Sequence, residues 1–192
     1  MTARLWTGKG DDGTTGLLYG GRAPKSSRQI EAVGAVDEAQ AAIGVARAEL
    51  RRGSKLDKVL IRVERELWVL MAELATGPRG RSKLVDGESR VTADMVRGLE
   101  TDTDAIGSRL ELSPEFVVPG QNRSSALLDV ARTVVRRAER AAQSVPPKGS
   151  SVLPYLNRLS SLLWVLARQA EGTALPTRTA PRRTTTRRAA AR

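Results

Sequence analysis

The sequence predicts an all-α fold, and three observations carry that prediction. Aromatic residues are only 3% of the 192-residue chain, while alanine and leucine are plentiful, as helical proteins prefer. Apolar side chains recur at i, i+3 and i+4 in one segment after another, whereas strand-like alternation is almost absent. Clusters of glycine and proline at 77–91 and 146–149 break the chain between those segments. The length suits one domain with a proper core, residues 1–171. Residues 172–192, rich in Thr, Ala, Pro and Arg, cannot bury enough apolar surface to fold and read as a disordered Arg-rich tail.

Residues 7–22, TGKGDDGTTGLLYGGR, read as a glycine-rich loop. Gly8, Gly10 and Gly13 match G-x-G-x-x-G, but no hydrophobic strand precedes them and no βαβ unit follows, which excludes a dinucleotide fold. No Gly-Lys-Ser/Thr ends the loop, so it is not a Walker A motif either. Closely spaced glycines still let backbone N–H groups approach phosphates, and Lys9, Thr14, Thr15 and Lys25 add donors. An ordinary N-terminal loop has the same composition.

The first helix, 29–51, has Ile30, Val33, Val36, Ile43 and Leu50 along an apolar seam, with Asp37 and Glu38 interrupting its alanine-rich middle. The second, 54–76, is capped by Ser54 and repeats Leu56, Val59, Leu60, Val63, Leu67, Leu70 and Leu74 at helical spacing, so it is core. Residues 77–91 read as a loop. A weaker third helix, 92–110, is capped by Thr92, and its Thr101–Asp104 run is expected to bend or loosen it. Residues 116–120 make a short extended connection holding the single phenylalanine, Phe116, whose simplest role is to plug the bundle end. The central helix, 125–143, puts Leu127, Val130, Ala131, Val134, Ala138 and Ala142 on one side. Asp129, Arg132, Arg136, Glu139, Arg140 and Gln143 form a polar stripe opposite. The last helix, 152–171, turns Leu156, Leu159, Leu163 and Leu166 inward, with Asn157, Ser161 and Arg168 on another face.

Charge narrows the chemistry. Of the formal +11, the tail carries six arginines and no acid, leaving +5 on the body. The basic character therefore points only weakly to nucleic acid. With no cysteine and no histidine, thiolate chemistry and the usual general base are excluded. Catalysis must come from positioning, carboxylates and cations. No metal-ligating cluster is expected, and no apolar run suits a signal region or a membrane span. The central arginines exceed the acids on their own helix, and their guanidinium forks suit phosphate or a carboxylate from elsewhere. A solvated helix face has the same pattern.

Five stretches, TGKGDDGTTG with LLYGGR and Lys25, then IEAVGAVDEAQAAIGVARAE, FVVPG, ARTVVRRAER and YLNRLSSLLWVLAR, together resemble the PduO-type ATP:cob(I)alamin adenosyltransferases, in family order over residues 7–171. The resemblance implies a cytoplasmic five-helix bundle, trimeric, with active sites between subunits. It implies ATP with Mg²⁺ on Thr7, Gly8, Lys9, Gly10, Asp11, Gly13, Thr14, Thr15 and Lys25 of one subunit. Arg136, Glu139, Arg140 and Asn157 of the neighbour complete the nucleotide site. Asp37 and Arg132 look like the family's acid–arginine pair across subunits, and Phe116 like the aromatic that displaces the lower ligand of cob(I)alamin. A corrinoid reductase and an adenosylcobalamin-dependent mutase are the implied partners. The family often has glycine where Gln121 stands, histidine where Asp129 stands and aspartate where Ser161 stands. Asp129 thus makes the corrinoid-facing end of the central helix more acidic. Two other readings cover parts of the pattern. A basic nucleic-acid-binding helical protein explains the tail but leaves the loop and stripe idle, and a catalytically weak relative binding ATP or adenosylcobalamin would keep the same residues.

Overall fold

Side-chain caps set where most of the helices begin. In the computed structural model, which describes residues 6–112 and 115–178, Ser27 caps α1 (Arg28–Ala48) through the Ile30 N–H. Ser54 caps α2 (Lys55–Leu74) through Asp57 N at 3.2 Å. Thr92 caps α3 (Ala93–Gly107) through Met95 N at 3.3 Å, and Asn122 caps α4 (Arg123–Ala142) through Ser125 N at 2.9 Å. Each such cap stabilises its helix by about 1 kcal/mol. The fifth helix, α5 (Val152–Glu171), starts where the Pro146–Gly149 break ends and has no side-chain cap. The loop after α2 contains one 3₁₀ turn, Pro78–Lys83.

The five helices form the bundle expected from the sequence, with α4 packed between α1 and α5 and the outer helices beside them: α2 against α1, α3 against α5. Ion pairs Glu49–Arg123 and Glu38–Arg137 run α4 antiparallel to α1. The α1 seam is built more from alanine than from the predicted large residues: Ala32, Ala35, Val36, Ala39, Ile43 and Ala46 are buried, whereas Ile30, Val33 and Leu50 are half-buried. Small side chains let two helices approach closely. The leucines expected inward on α2 and α5 are buried from Leu60 to Leu74 and from Leu156 to Leu166, except that Leu56 lies at the core's margin.

The buried side of α4 differs from expectation. Leu128, Ala131, Val135, Ala138 and Ala142 face the core, Leu127 and Val134 flank it, and Val130 is 53% exposed. The apolar arc of this helix is wider than the seam it packs into, and periodicity alone does not mark its centre. Asp129 and Arg168, both assigned to polar faces, are buried, because each neutralises the other. The Thr101–Asp104 run does not break α3. Thr101 and Thr103 donate to the carbonyls of Arg97 and Leu99, and Asp102 accepts from Arg62 of α2 at 2.6 Å.

Two segments expected to be irregular are paired. Thr14–Gly16 (β1) and Arg22–Pro24 (β2) form an antiparallel hairpin with Thr15 opposite Ala23. Its turn needs positive φ at Tyr19, Gly20 and Gly21. Leu18 N donates to Ala75 O at 3.0 Å, which fastens the hairpin to the end of α2. Glu73 ties the same end together, accepting from Val91 N and from Ser150 Oγ. At the opposite end of α4, the 116–118 connection is extended as predicted and pairs with the chain after α5. Thr177 N donates to Phe116 O and Val118 N to Leu175 O, each at 2.8 Å. The tail expected from 172 therefore has its first residues in this pairing, while 179–192 lie outside the described residues. Among the described residues no helix is long and apolar enough to cross a membrane.

Tyr155 is fully buried, and its hydroxyl donates to Glu66 at 2.7 Å, where Arg62 also binds. Burial, then the Glu66 charge, push this phenol well above its ordinary value of 10.0. Tyr155→Phe should cost about 1 kcal/mol near neutral pH. Between the unfolded and folded values the folded chain holds the extra proton, so wild-type stability falls as pH rises past 10.0. Denaturant titrations of both proteins should show their difference shrinking above that pH.

Candidate active site

The glycine-rich hairpin is braced from within. The Asp12 carboxylate accepts from the Thr14 N–H and hydroxyl, and Arg22 bridges Thr14 Oγ1 at 2.8 Å, Asp12 at 3.3 Å and the Lys9 carbonyl at 2.5 Å. The Thr14 donors, and to a lesser degree Arg22, hold the Asp12 carboxyl below its ordinary range. The Thr14 hydroxyl thus serves the loop instead of pointing a proton outward. Thr15 is half-buried in β1, and Thr7 accepts from Lys9 N. Gly8 and Gly13 have φ of +67° and +78°, which a side chain resists. Gly10 lies under Lys25: a Cβ there would sit 3.0 Å from Lys25 Nζ, and a Cβ on Gly8 would sit 3.4 Å from Asp11 Oδ2. Lys25 N donates to Gly13 O at 2.8 Å. The result is a fixed turn with Lys9, Asp11 and Lys25 exposed on it.

The second half of the site lies along α4 and α5. Arg136 and Arg140 are exposed and take no part in the ion pairs among the described residues. Beside them Glu139 accepts from Asn157 Nδ2 at 3.1 Å, and Arg158 donates to Asn157 Oδ1 at 2.7 Å, which fixes the amide's orientation. A cleft of about 460 Å³ is lined by Arg132, Arg136, Thr103, Ser160, Ser161, Trp164 and Val165. One helical turn lower, a second cleft of about 460 Å³ is lined by Glu115, Phe116, Val117, Pro119, Asp129, Arg132, Trp164 and Arg168. Phe116 is 89% exposed at its rim, so it does not plug the bundle end. The paired strand at 116–118 holds its backbone and leaves the ring outside.

Under that ring the charges cancel. Asp129 Oδ1 accepts from Arg132 Nε at 3.0 Å and Oδ2 from Arg168 Nη2 at 2.6 Å. Arg168 also pairs with Glu171 at 2.7 Å, and its guanidinium carbon lies 5.9 Å from the Trp164 ring centroid. Asp129 therefore does not leave this end acidic, as sequence suggests. Trp164 and the buried Asp129–Arg168 pair are site features that sequence reading missed, although Asn157, Ser161, Trp164 and Arg168 fall on one face at i+4, i+3 and i+4. Asp37 is exposed on α1 and is not paired with Arg132 of its own chain. The fold brings Arg132, Arg136, Glu139, Arg140, Asn157 and Phe116 to one side of α4 and α5. Among the described residues, no hydrogen bond or ion pair joins residues 7–25 to those side chains.

Fold and site together define a helical-bundle protein that presents uncompensated cations beside a neutral, largely apolar cleft. The chain belongs to the cobalamin adenosyltransferase family, whose sequence model matches residues 5–170. It is 42% identical over 172 residues to a corrinoid adenosyltransferase of Mycobacterium tuberculosis, covering 87% of this chain and 88% of that one. The corresponding protein of Citrobacter freundii is 37% identical over 173 residues, covering 88% and 96%. Among solved structures, a PduO-type ATP:corrinoid adenosyltransferase variant from Lactobacillus reuteri, complexed with cobalamin and ATP, superposes with a TM-score of 0.81. The match covers 92% of this chain and all of that one at 24% identity, a likeness of fold.

If Lys25 and the Gly10 amide form one anion cradle, Gly10→Ala should displace the ammonium group. A hydrogen bond to a charged group is worth about 1.5–3 kcal/mol. Calorimetry with inorganic triphosphate should therefore show affinity lower by about ten-fold or more. Unchanged affinity would remove Lys25 from the cradle.

Proposed function

We propose that this chain transfers the 5′-deoxyadenosyl group of ATP to the cobalt of cob(I)alamin, giving adenosylcobalamin and triphosphate. The observation that carries the reading is the division of one side of α4 and α5: Arg136 and Arg140 stand uncompensated, while Arg132 and Arg168 a turn or more away are cancelled by Asp129 and Glu171. A polyphosphate suits the first half and a flat, largely uncharged ring the second. The relatives above carry the names of this activity, and the Lactobacillus protein is complexed with both substrates.

In the reaction the cobalt electron pair attacks C5′, the Co–C5′ bond forms, the C5′–O bond breaks and triphosphate leaves. Cobalt goes from Co(I) to Co(III). The nucleophile belongs to the substrate, so the protein supplies alignment and charge stabilisation. Arg136, Arg140 and Lys25, with the N–H groups around Gly8, Gly10 and Gly13, hold the leaving polyphosphate; Glu139, oriented by Asn157, takes the ribose. Mg²⁺ arrives with the nucleotide, which fits a hairpin offering only Asp11 as an uncommitted carboxylate, Asp12 being engaged by Thr14 and Arg22. Phe116, at the rim of the lower cleft, excludes a lower ligand from cobalt, and a cobalt without one is easier to reduce.

The hairpin reaches this site from a neighbouring copy in a homotrimer, with Asp37 meeting Arg132 across the interface. Among the described residues of one chain no hydrogen bond or ion pair links the hairpin to Arg136 or Arg140, which supports that arrangement. A reductase supplies Co(I), an adenosylcobalamin-dependent mutase consumes the product, and the cytoplasm holds both substrates.

Anaerobic incubation with ATP and chemically reduced cobalamin, followed by the corrin absorption spectrum, tests the reading. Wild type should convert the corrinoid. Arg136→Ala should lower turnover about 10²–10³-fold, the scale of a lost charge-stabilising donor, with unchanged helicity. Phe116→Ala should keep ATP binding and lose most adenosylation. A wild-type protein that leaves the spectrum unchanged would sink the assignment.

A further inference from the structure

Arg132 and Trp164 are shared by both clefts, and Arg132 also lines a shallower hollow beside Pro119, Gly120 and Val130. Wherever its guanidinium points, it forms part of the wall between them. Within one chain its direction is set by a single contact. Asp129 Oδ1 takes the Nε–H at 3.0 Å, and among the described residues the two terminal nitrogens have no partner. An arginine held at Nε keeps its plane and presents its outer fork to whatever lies beyond.

Asp129 is itself immobilised. It is 6% exposed, and its second oxygen is taken by the buried Arg168 at 2.6 Å, which is held in turn by Glu171 and packed near Trp164. A lone Asp129–Arg132 pair at i, i+3 on a helix surface would be a weak and mobile contact. Anchored from behind by α5, the carboxylate becomes a fixed bracket. We propose that Asp129 is a positioning residue: it fixes the plane of Arg132 in the wall between the two clefts, where its outer fork meets Asp37 of the neighbouring copy, and so sets the alignment of the two substrates. The inference rests on the adenosyl-transfer reading and deepens it. Without Asp129 each cleft keeps its own walls, Phe116 and Val117 below, Arg136 and Ser161 above, with Trp164 common to both. Occupancy should survive while alignment is lost.

The test is steady-state kinetics of the full chain with ATP and reduced cobalamin. Asp129→Asn should lower kcat about ten- to a hundred-fold, the scale of a misplaced group, with both KM values within about three-fold of wild type. Combined with Arg132→Met, it should add nothing to the loss caused by Arg132→Met alone. Should Asp129→Asn fail to fold because Arg168 is left unneutralised, Asp129→Asn with Arg168→Gln removes both buried charges together and carries the same test. Losses that multiply in the combined variant, or a rise in KM with kcat unchanged, would overturn the proposal while leaving the function standing. An inactive wild type would overturn both.

Discussion

The close seam between α1, α4 and α5 is the constraint on which the rest of the structure depends. Ala32, Ala35, Ala39 and Ala46 on α1 and Ala131, Ala138 and Ala142 on α4 are all buried. With so little side-chain volume between them, the helices lie close, and α4 has no freedom to roll. Its rotation fixes everything on its outer face. Arg136 and Arg140 are turned to solvent, Glu139 meets Asn157, and Asp129 is driven inward to where Arg168 and Arg132 satisfy it. A larger residue in the seam would act on the site through that rotation, without touching a ligand.

Much of this was legible in the sequence, and the reason is local. Ser54 and Thr92 announced helix starts because capping chemistry involves only neighbouring residues. The leucine rows of α2 and α5 announced core because a fully apolar face has one place to go. The α4 arc was harder, since Val130 and Val135 are equally apolar and only the packing partners decide which is covered. Asp129 and Arg168 were misread for a related reason. A charged residue reads as exposed until its counter-charge is known, and that partner lies 39 residues away on another helix. The hairpin went unseen because Thr14–Gly16 and Arg22–Pro24 are three residues each, too short to show alternation. Its brace, Arg22 across Thr14 and Asp12, is a contact that composition does not encode. Trp164 was recoverable: its place between Ser161 and Arg168 on one face was in the spacing.

The distribution of charge gives the absence of histidine a physical meaning. A site that moves protons needs a group titrating near neutrality. The charged groups lining these clefts are arginines and carboxylates, and Arg132 and Arg168 are locked to acids. They suit a reaction whose nucleophile arrives already activated and whose leaving group departs as a polyanion. Its demand on the protein is then fixed positive potential above and a neutral surface below. A positive lower cleft would compete with the upper one for the polyphosphate. The buried Asp129 and Glu171 prevent that by cancelling Arg132 and Arg168 where they stand, which on the proposed assignment leaves the polyanion to Arg136 and Arg140. The two acids therefore act by subtraction: they pair Arg132 and Arg168 and leave Arg136 and Arg140 without a counter-charge, where the proposed reaction puts its leaving group.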